Sequence, residues 1–384
     1  MLTKNLKEKI AILSIALFLA SNNAIGGTLV FIQKEYSLQR SSTEMILTLT
    51  CLTGIIFILA ADSISKKIGL KNTVLTGLFF IFLSGILPII FKSLISIIIS
   101  RLILGIGVGL FNGNSANYIN ILYSGEEKAY LHGIRNSFEF IGQIINLFIA
   151  GFLIKYIGWI YAFAVYSLSI FIFIFFKIYV RDPEISYESK KINFSSNIVL
   201  FILFATIMVM NSTSIYIRFP FVASRLLGMD ADINMYVSLI PLAGMISGFL
   251  FGYINRLLKT YTILFGIGLY VAANFFLAYS ENSFTSFLIF SLLTSFAQSM
   301  CLPYIFVDVS RYVEDKSLRI ATNLIFAGCN VGGLLSSVFL STFDKITGVD
   351  SLCFSFISFS FLYALLFIIY FRRNVIYRRR LKRF

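Results

Sequence analysis

Twelve apolar stretches of about twenty residues follow one another along this chain, and each is long enough to cross the roughly 30 Å hydrocarbon core of a bilayer as a helix. They fall near residues 10–32, 43–63, 73–91, 94–118, 132–154, 158–179, 195–217, 233–255, 261–280, 284–306, 319–341 and 350–371. Lipid offers the backbone no hydrogen-bond partners, so only helices or a closed barrel can span it. Barrel strands alternate polar and apolar residues, whereas runs such as Ile97–Ile99 and Ile170–Phe176 are apolar on every side. The sequence therefore predicts an all-α integral membrane protein with twelve transmembrane helices embedded in a lipid bilayer.

With 58% hydrophobic and only 13% charged residues, the chain lies far from soluble domains, in which about a quarter of residues are charged. The first stretch, preceded by Lys4, Lys7 and Lys9, is too long for a signal peptide and has no small-residue cleavage site, so a retained helix is expected. The net charge of +14 does not point to nucleic acid once the basic residues are placed on the topology. An inward N-terminus puts Lys66, Lys67, Lys71, Lys177, Arg181, Lys190, Lys191, Arg256, Lys259 and the tail from Arg372 to Arg383 on the cytoplasmic side. The other face then holds only Lys34, Arg40, Lys92, Lys155, Arg225 and Lys345. That bias follows the positive-inside rule and predicts both termini in the cytoplasm, with the multi-pass chain in the cytoplasmic (inner) membrane. The basic tail is expected to lie against anionic headgroups.

Cys51, Cys301, Cys329 and Cys353 all fall inside predicted spans without a C-x-x-C pair, and His132 is the single histidine. No disulfide framework, metal site or cofactor is expected, and catalysis that depends on histidine has no candidate. The sequence contains no G-x-x-x-x-G-K-[ST] phosphate loop, so nucleotide-driven work by this chain alone is not expected.

The longest internal hydrophilic stretch, near Val180 to Phe194, divides the spans six and six. It predicts an N-terminal half over 1–180, a cytoplasmic loop over 181–194 and a C-terminal half over 195–384 with its basic tail. A period near 190 residues supports two halves. Glu126-Glu127-Lys128 precedes span five as Glu314-Asp315-Lys316 precedes span eleven, Gly142 matches Gly332, and Asn22-Asn23 matches Ser212-Thr213. Tandem six-helix halves are a transporter plan, with the substrate held near the midplane between them.

Three motifs carry a resemblance. The loop between spans two and three, from Asp62 to Lys71, has Lys67, Gly69 and Lys71 where the signature G-x-x-x-D-[RK]-x-G-[RK]-[RK] has matching residues. Asp62 stands at its glycine, Lys66 at its acid and Leu70 at a basic position. Span four carries Arg101-x-x-x-Gly105-x-Gly107-x-Gly109, and span six opens with Gly158-Trp159 and Ala162-Phe163. Together with length and layout, these resemble the major facilitator superfamily over the whole chain. Spans one to five, with Arg135-x-x-x-Glu139-x-x-Gly142, lean towards its bacterial multidrug-resistance-like members, although span five lacks the Gly-Pro pair of many drug exporters.

The resemblance implies a monomeric secondary transporter that moves a small molecule by alternating access, with the Asp62, Lys66, Lys67, Gly69 and Lys71 loop as a conformational latch. Gly105, Gly107 and Gly109 would allow close helix packing, and a buried Arg101 requires compensation. Spans one, four, seven and ten line the pathway in the family, which makes Asn22, Asn23, Asn112, Asn114, Asn211, Ser212, Thr213 and Gln298 the candidate substrate-binding residues.

Glu139 is the only acidic residue well inside a predicted span, with Arg135 one turn before it on the same face, a spacing that permits pairing. A static salt bridge is one reading. In the other, Glu139 exchanges the coupling proton, with Arg101 or Arg135 tuning its affinity. Arg218, at the outer end of span seven, is expected to be an interface anchor or an anion site. Two functions stand beside each other: proton-coupled efflux of amphipathic compounds, and import or exchange of a polar nutrient or organic anion. A membrane enzyme is disfavoured, because no paired catalytic groups face a common loop.

Overall fold

The computed structural model describes residues 2–183, 196–228, 231–309, 315–349 and 351–381. No strand occurs among them. Ten segments are long and apolar enough to cross a membrane, and the bent pair Leu6–Phe18 and Ser21–Glu35 makes an eleventh. One of the ten, Ile233–Ala278, is 46 residues long, or about 69 Å at 1.5 Å per residue. It is broken at Lys259, which has a positive φ of 50°, and so provides two spans. The protein is thus an all-α, multi-pass membrane protein of two six-helix bundles.

Span one is broken. Spans two to six are Arg40–Ile68, Leu70–Phe91, Leu94–Leu122, Gly125–Tyr156 and the Trp159–Tyr179 segment. Spans seven to twelve are Ser196–Leu227, Ile233–Leu258, Thr262–Ala278, Phe284–Val309, Asp315–Thr347 and Phe356–Leu381. Several helices outrun the hydrocarbon core. Span eleven has 33 residues, because polar residues past the membrane edge remain good helix formers. Hydropathy sees only the apolar part, which is why Asp344, expected in a loop, lies on a helix.

Twelve spans return the described chain to the face it starts from, so Leu2 and Leu381 lie on one face, called here the terminal face; the other is the distal face. Within the first bundle span four packs on spans two and three. Within the second, span eleven packs on span seven, and span nine on spans ten and twelve. Between bundles, span two meets span eleven and span five meets span eight.

The glycines of span four explain its close packing. A Cβ at Gly105 would collide with the Thr50 carbonyl of span two, one at Gly109 would lie 2.9 Å from the Gly54 carbonyl, and one at Gly107 would lie 2.7 Å from the Gly77 carbonyl of span three. Gly142 and Gly332 show the internal repeat in space. A Cβ at Gly142 would strike Leu17 of span one, and one at Gly332 would strike Thr206 of span seven.

At the turn between spans two and three, Gly69 takes a φ of 87° that disfavours side chains. The Asp182 carboxylate packs over it and accepts from the Lys71 amide at 3.1 Å, satisfying a free N–H in the first turn of span three. Lys66 and Lys67 are exposed, and Asp62 is half-buried. Most of the central loop, residues 184–195, lies outside the described residues.

Candidate functional site

Span one loses its α-helical pattern at the centre of the first bundle. The helix Leu2–Ser14 gives way to short 3-10 turns at Ile15–Phe18, Ser21–Asn23 and Gly26–Thr28 before Leu29–Glu35 resumes, with a 42° bend. Asparagines compete with the helix through their own side chains, and the Gly26-Gly27 pair lowers its propensity. Freed backbone groups inside a membrane must find partners, and side chains from four other helices provide them. Asn146 Nδ2 donates to Leu17 O at 3.0 Å, Tyr166 Oη to Ser21 O at 3.1 Å, Arg101 Nη2 to Asn22 O at 2.6 Å and Asn234 Nδ2 to Ala24 O at 3.1 Å. Gly27 N donates to Asn234 Oδ1 at 2.9 Å.

The compensation that Arg101 requires is therefore neutral. Its guanidinium, 0% exposed, reaches Asn22 O, Leu47 O and Tyr166 Oη, and it lies 5.8 Å from the Tyr166 ring centroid. These contacts all run to spans one, two and six, not to Glu139.

On span five, Arg135 is buried. It donates through Nε to Ser115 Oγ of span four at 3.0 Å and through Nη1 to Asn136 Oδ1 at 3.4 Å. Its Nη2 is buried with no hydrogen-bond partner among the described residues. Glu139 is half-buried and senses the charge of Arg135, yet no ion pair or hydrogen bond falls on its carboxylate among the described residues. The next residue, Phe140, packs against Gly244 of span eight, which places this turn of span five at the junction between bundles. Cys51 abuts Gly333 across the same junction, with Thr213 nearby. Cys51 is thus placed at the interface between the bundles.

Other expected residues separate into two groups. Asn22 and Asn23 lie at the break in span one. Asn22 Oδ1 is buried without a partner, and Asn23 lines a small recess with Gln143 and Asn146. Asn112, Ser212 and Gln298 are half-buried, and their side chains carry none of the contacts described here. Asn114 is engaged inside its own bundle, donating to Ser65 Oγ at 3.2 Å and Leu110 O at 2.8 Å. Asn211 is 0% exposed and exchanges two hydrogen bonds with Asn274 of span nine, at 2.6 and 3.2 Å. Asn323 and Asn330 of span eleven were not foreseen. They face Gly113 of span four and Gly54 of span two across the junction, and their seven-residue spacing on one helix face was the available signal.

One expectation is corrected at the distal face, beside a buried acid. Glu44, at the edge of predicted span two, is 1% exposed. Arg218 is no interface anchor: it is 0% exposed, and it pairs with Glu44 at 3.2 Å and Asp344 at 2.6 Å. No cluster of His, Cys, Asp and Glu able to hold a metal lies among the described residues.

A second opening lies at the seam of spans five, seven and eight. This groove of about 650 Å³ is lined by Ile144, Phe148, Met235, Tyr236 and Leu239, with Asp232 in its wall.

This architecture recurs in solved structures. A D-xylose-proton symporter is similar with a TM-score of 0.75 and 16% identity, over 94% of this chain and 95% of that one. The POT family transporter PepTSo gives 0.77 and 12%, over 96% and 98%. The inward-open xylose transporter XylE from E. coli gives 0.74 and 15%, over 94% of each. At such identities the likeness establishes the fold. The model of the Major Facilitator Superfamily matches residues 11–260, a stretch that holds the broken first span, the Arg101 glycine helix and the Arg135–Glu139 turn. With well over half of its length matched and the six-plus-six fold around it, the chain belongs to the Major Facilitator Superfamily of transporters.

Proposed function

We propose that this protein is a proton-coupled secondary transporter of the cytoplasmic membrane, with both termini inside, halves bounded by the loop at 181–194, and Glu139 as its coupling carboxylate. The observation that carries the reading is the state of Glu139: it is half-buried at the junction of the bundles, within the field of Arg135, and without an ion pair or hydrogen bond among the described residues. A carboxylate already locked in a salt bridge would resist protonation, whereas an accessible one facing a moving interface can change its proton affinity as the neighbouring charge approaches or recedes. Arg135 is the neighbour that tunes it. Arg101 acts indirectly, by holding the unwound segment that presents Asn22 and Asn23.

The proposed cargo is a small amphipathic compound moved outwards, in line with the span-five resemblance. The groove between spans five and eight supports this, since its lining is mostly apolar. The second reading is import or exchange of a polar nutrient or small organic anion. It is supported by the unpartnered Nη2 of Arg135, by the amides of Asn22, Asn23, Asn112 and Gln298 and by the hydroxyls of Ser212 and Thr213 around the proposed pathway. The similar D-xylose-proton symporter moves a polar cargo with protons, which fits the same reading.

Transport by the purified protein in proteoliposomes under an imposed pH gradient decides between them. Movement of a cationic dye against its gradient, abolished by a protonophore, supports efflux. Inert dyes with uptake or exchange of small organic anions move Arg135 to the substrate site. No pH-driven movement of either class overturns the proton-coupled reading.

A further inference from the structure

Four charged side chains form a closed ring where the bundles meet on the distal face. Arg40 and Glu44 belong to span two, in the first bundle; Arg218 of span seven and Asp344 of span eleven belong to the second. Two contacts cross between bundles: Arg40 Nη2 to Asp344 Oδ2 at 2.8 Å, and Arg218 Nε to Glu44 Oε1 at 3.2 Å. Two stay within a bundle: Arg218 Nη2 to Asp344 Oδ2 at 2.6 Å, and Arg40 Nε to Glu44 Oε1 at 3.8 Å across one helical turn. Each acid is therefore shared by one arginine of its own bundle and one of the other.

The ring is buried where it matters. Arg218 and Glu44 are 0% and 1% exposed, and the next contact inwards, Thr48 Oγ1 to Ser337 Oγ at 3.1 Å, also crosses the junction. Separating a buried ion pair ordinarily strands two charges, at a cost that makes such pairs poor moving parts. Here separation strands none. When the bundles part, Arg40 retains Glu44 and Arg218 retains Asp344, and each bundle keeps a neutral pair.

We propose that this ring is a partner-exchange latch of the distal gate: closed, it ties the bundles through Arg40–Asp344 and Arg218–Glu44; open, it divides into Arg40–Glu44 and Arg218–Asp344. The latch sets the balance between the two open states without requiring a proton, and it is independent of the identity of the cargo and of the role of Glu139. The opposite seam has one crossing pair, with the polarity reversed. There Lys155 of span five pairs with Asp232 of span eight at 2.8 Å, in the positions that Asp344 of span eleven and Arg40 of span two occupy across the repeat. Among the described residues no second pair crosses that seam, and Asn234 instead grips the uncharged backbone of span one.

The test reads distal opening as the rate at which a maleimide labels Thr48→Cys, in lipid-reconstituted protein whose four native cysteines are replaced by alanine. Inverting one bundle (Arg40→Glu with Glu44→Arg) keeps its internal pair but makes both crossing contacts repulsive, and labelling is expected to rise about tenfold or more. Inverting the second bundle as well (Arg218→Glu with Asp344→Arg) is expected to return labelling to within about twofold of the parent. The Arg40→Gln with Glu44→Gln change removes both crossing contacts while keeping Arg218–Asp344, so neither state strands a charge, and it is expected to raise labelling by several-fold; it decides the matter if the inverted chains do not fold. Unchanged labelling in that double variant, or labelling that stays high after both inversions in a monodisperse protein, overturns the latch.

Discussion

The guanidinium of Arg101 donates at 2.6 Å to the backbone carbonyl of Asn22, at the point where span one comes unwound. A cation from span four thus replaces the N–H that a continuous helix would have offered. The same side chain reaches Leu47 O and Tyr166 Oη, and Tyr166 passes a hydrogen bond on to Ser21 O at 3.1 Å. The arginine that the sequence marks as costly is the clamp of a broken helix.

Replacing Arg101 with glutamine should therefore act on stability first. Several acceptors lose a charged donor in a fully buried site, which costs about 3 kcal/mol. A fall in melting temperature of about 5 °C or more is expected for the purified protein in detergent. Arg101→Lys should recover only part of it, because an ammonium lacks the planar fork that reaches separated acceptors. An unchanged melting temperature in Arg101→Gln would refute the clamp.

Glu139→Gln preserves shape and removes the titratable group. Gel-filtration behaviour should match the parent, while pH-driven transport in proteoliposomes should fall to background and exchange without a gradient should persist. A variant whose transport keeps its dependence on the pH gradient would remove Glu139 from the coupling role.

Asn211 and Asn274 predict non-additive stability. Either single leucine substitution leaves one buried amide unpaired, at about 1–3 kcal/mol, whereas the double substitution removes both partners and should cost less than the sum. Thermal melts of the three variants check this. Transport affinity that weakens in the double variant, beyond what its melt explains, would return Asn211 to the substrate pathway.

Gly142→Ala and Gly248→Ala form a matched pair. A methyl at Gly142 meets the backbone of Leu17, whereas one at Gly248 has nothing within 4 Å. The first should lower stability by about 2 kcal/mol or prevent folding. The second should be neutral or stabilising by up to about 1 kcal/mol, since alanine is the better helix former. Equal melting temperatures would contradict the close approach of spans one and five.

The twelve spans, the helical class and the six-plus-six layout were legible because apolar length and the absence of alternation are local properties, which lipid converts directly into helices. The glycines of span four were legible for the same reason: close packing leaves a short, spaced pattern within one helix. Glu44, Arg218 and Asp344 were not, because they sit near helix ends where hydropathy merges helix with loop, and nothing local says which ends will meet. Nor does any local pattern show that Asn211 faces span nine while Phe140, beside Glu139, faces span eight of the opposite bundle. A helix carries its polar residues on all sides, and only docking decides which side becomes core, lipid face or junction. The chain by itself determined that it crosses a membrane and how many times; the tertiary structure decided which buried charges pair and across which interface. Pairing energies depend on separation and surroundings, and both arise only once distant helices are brought together.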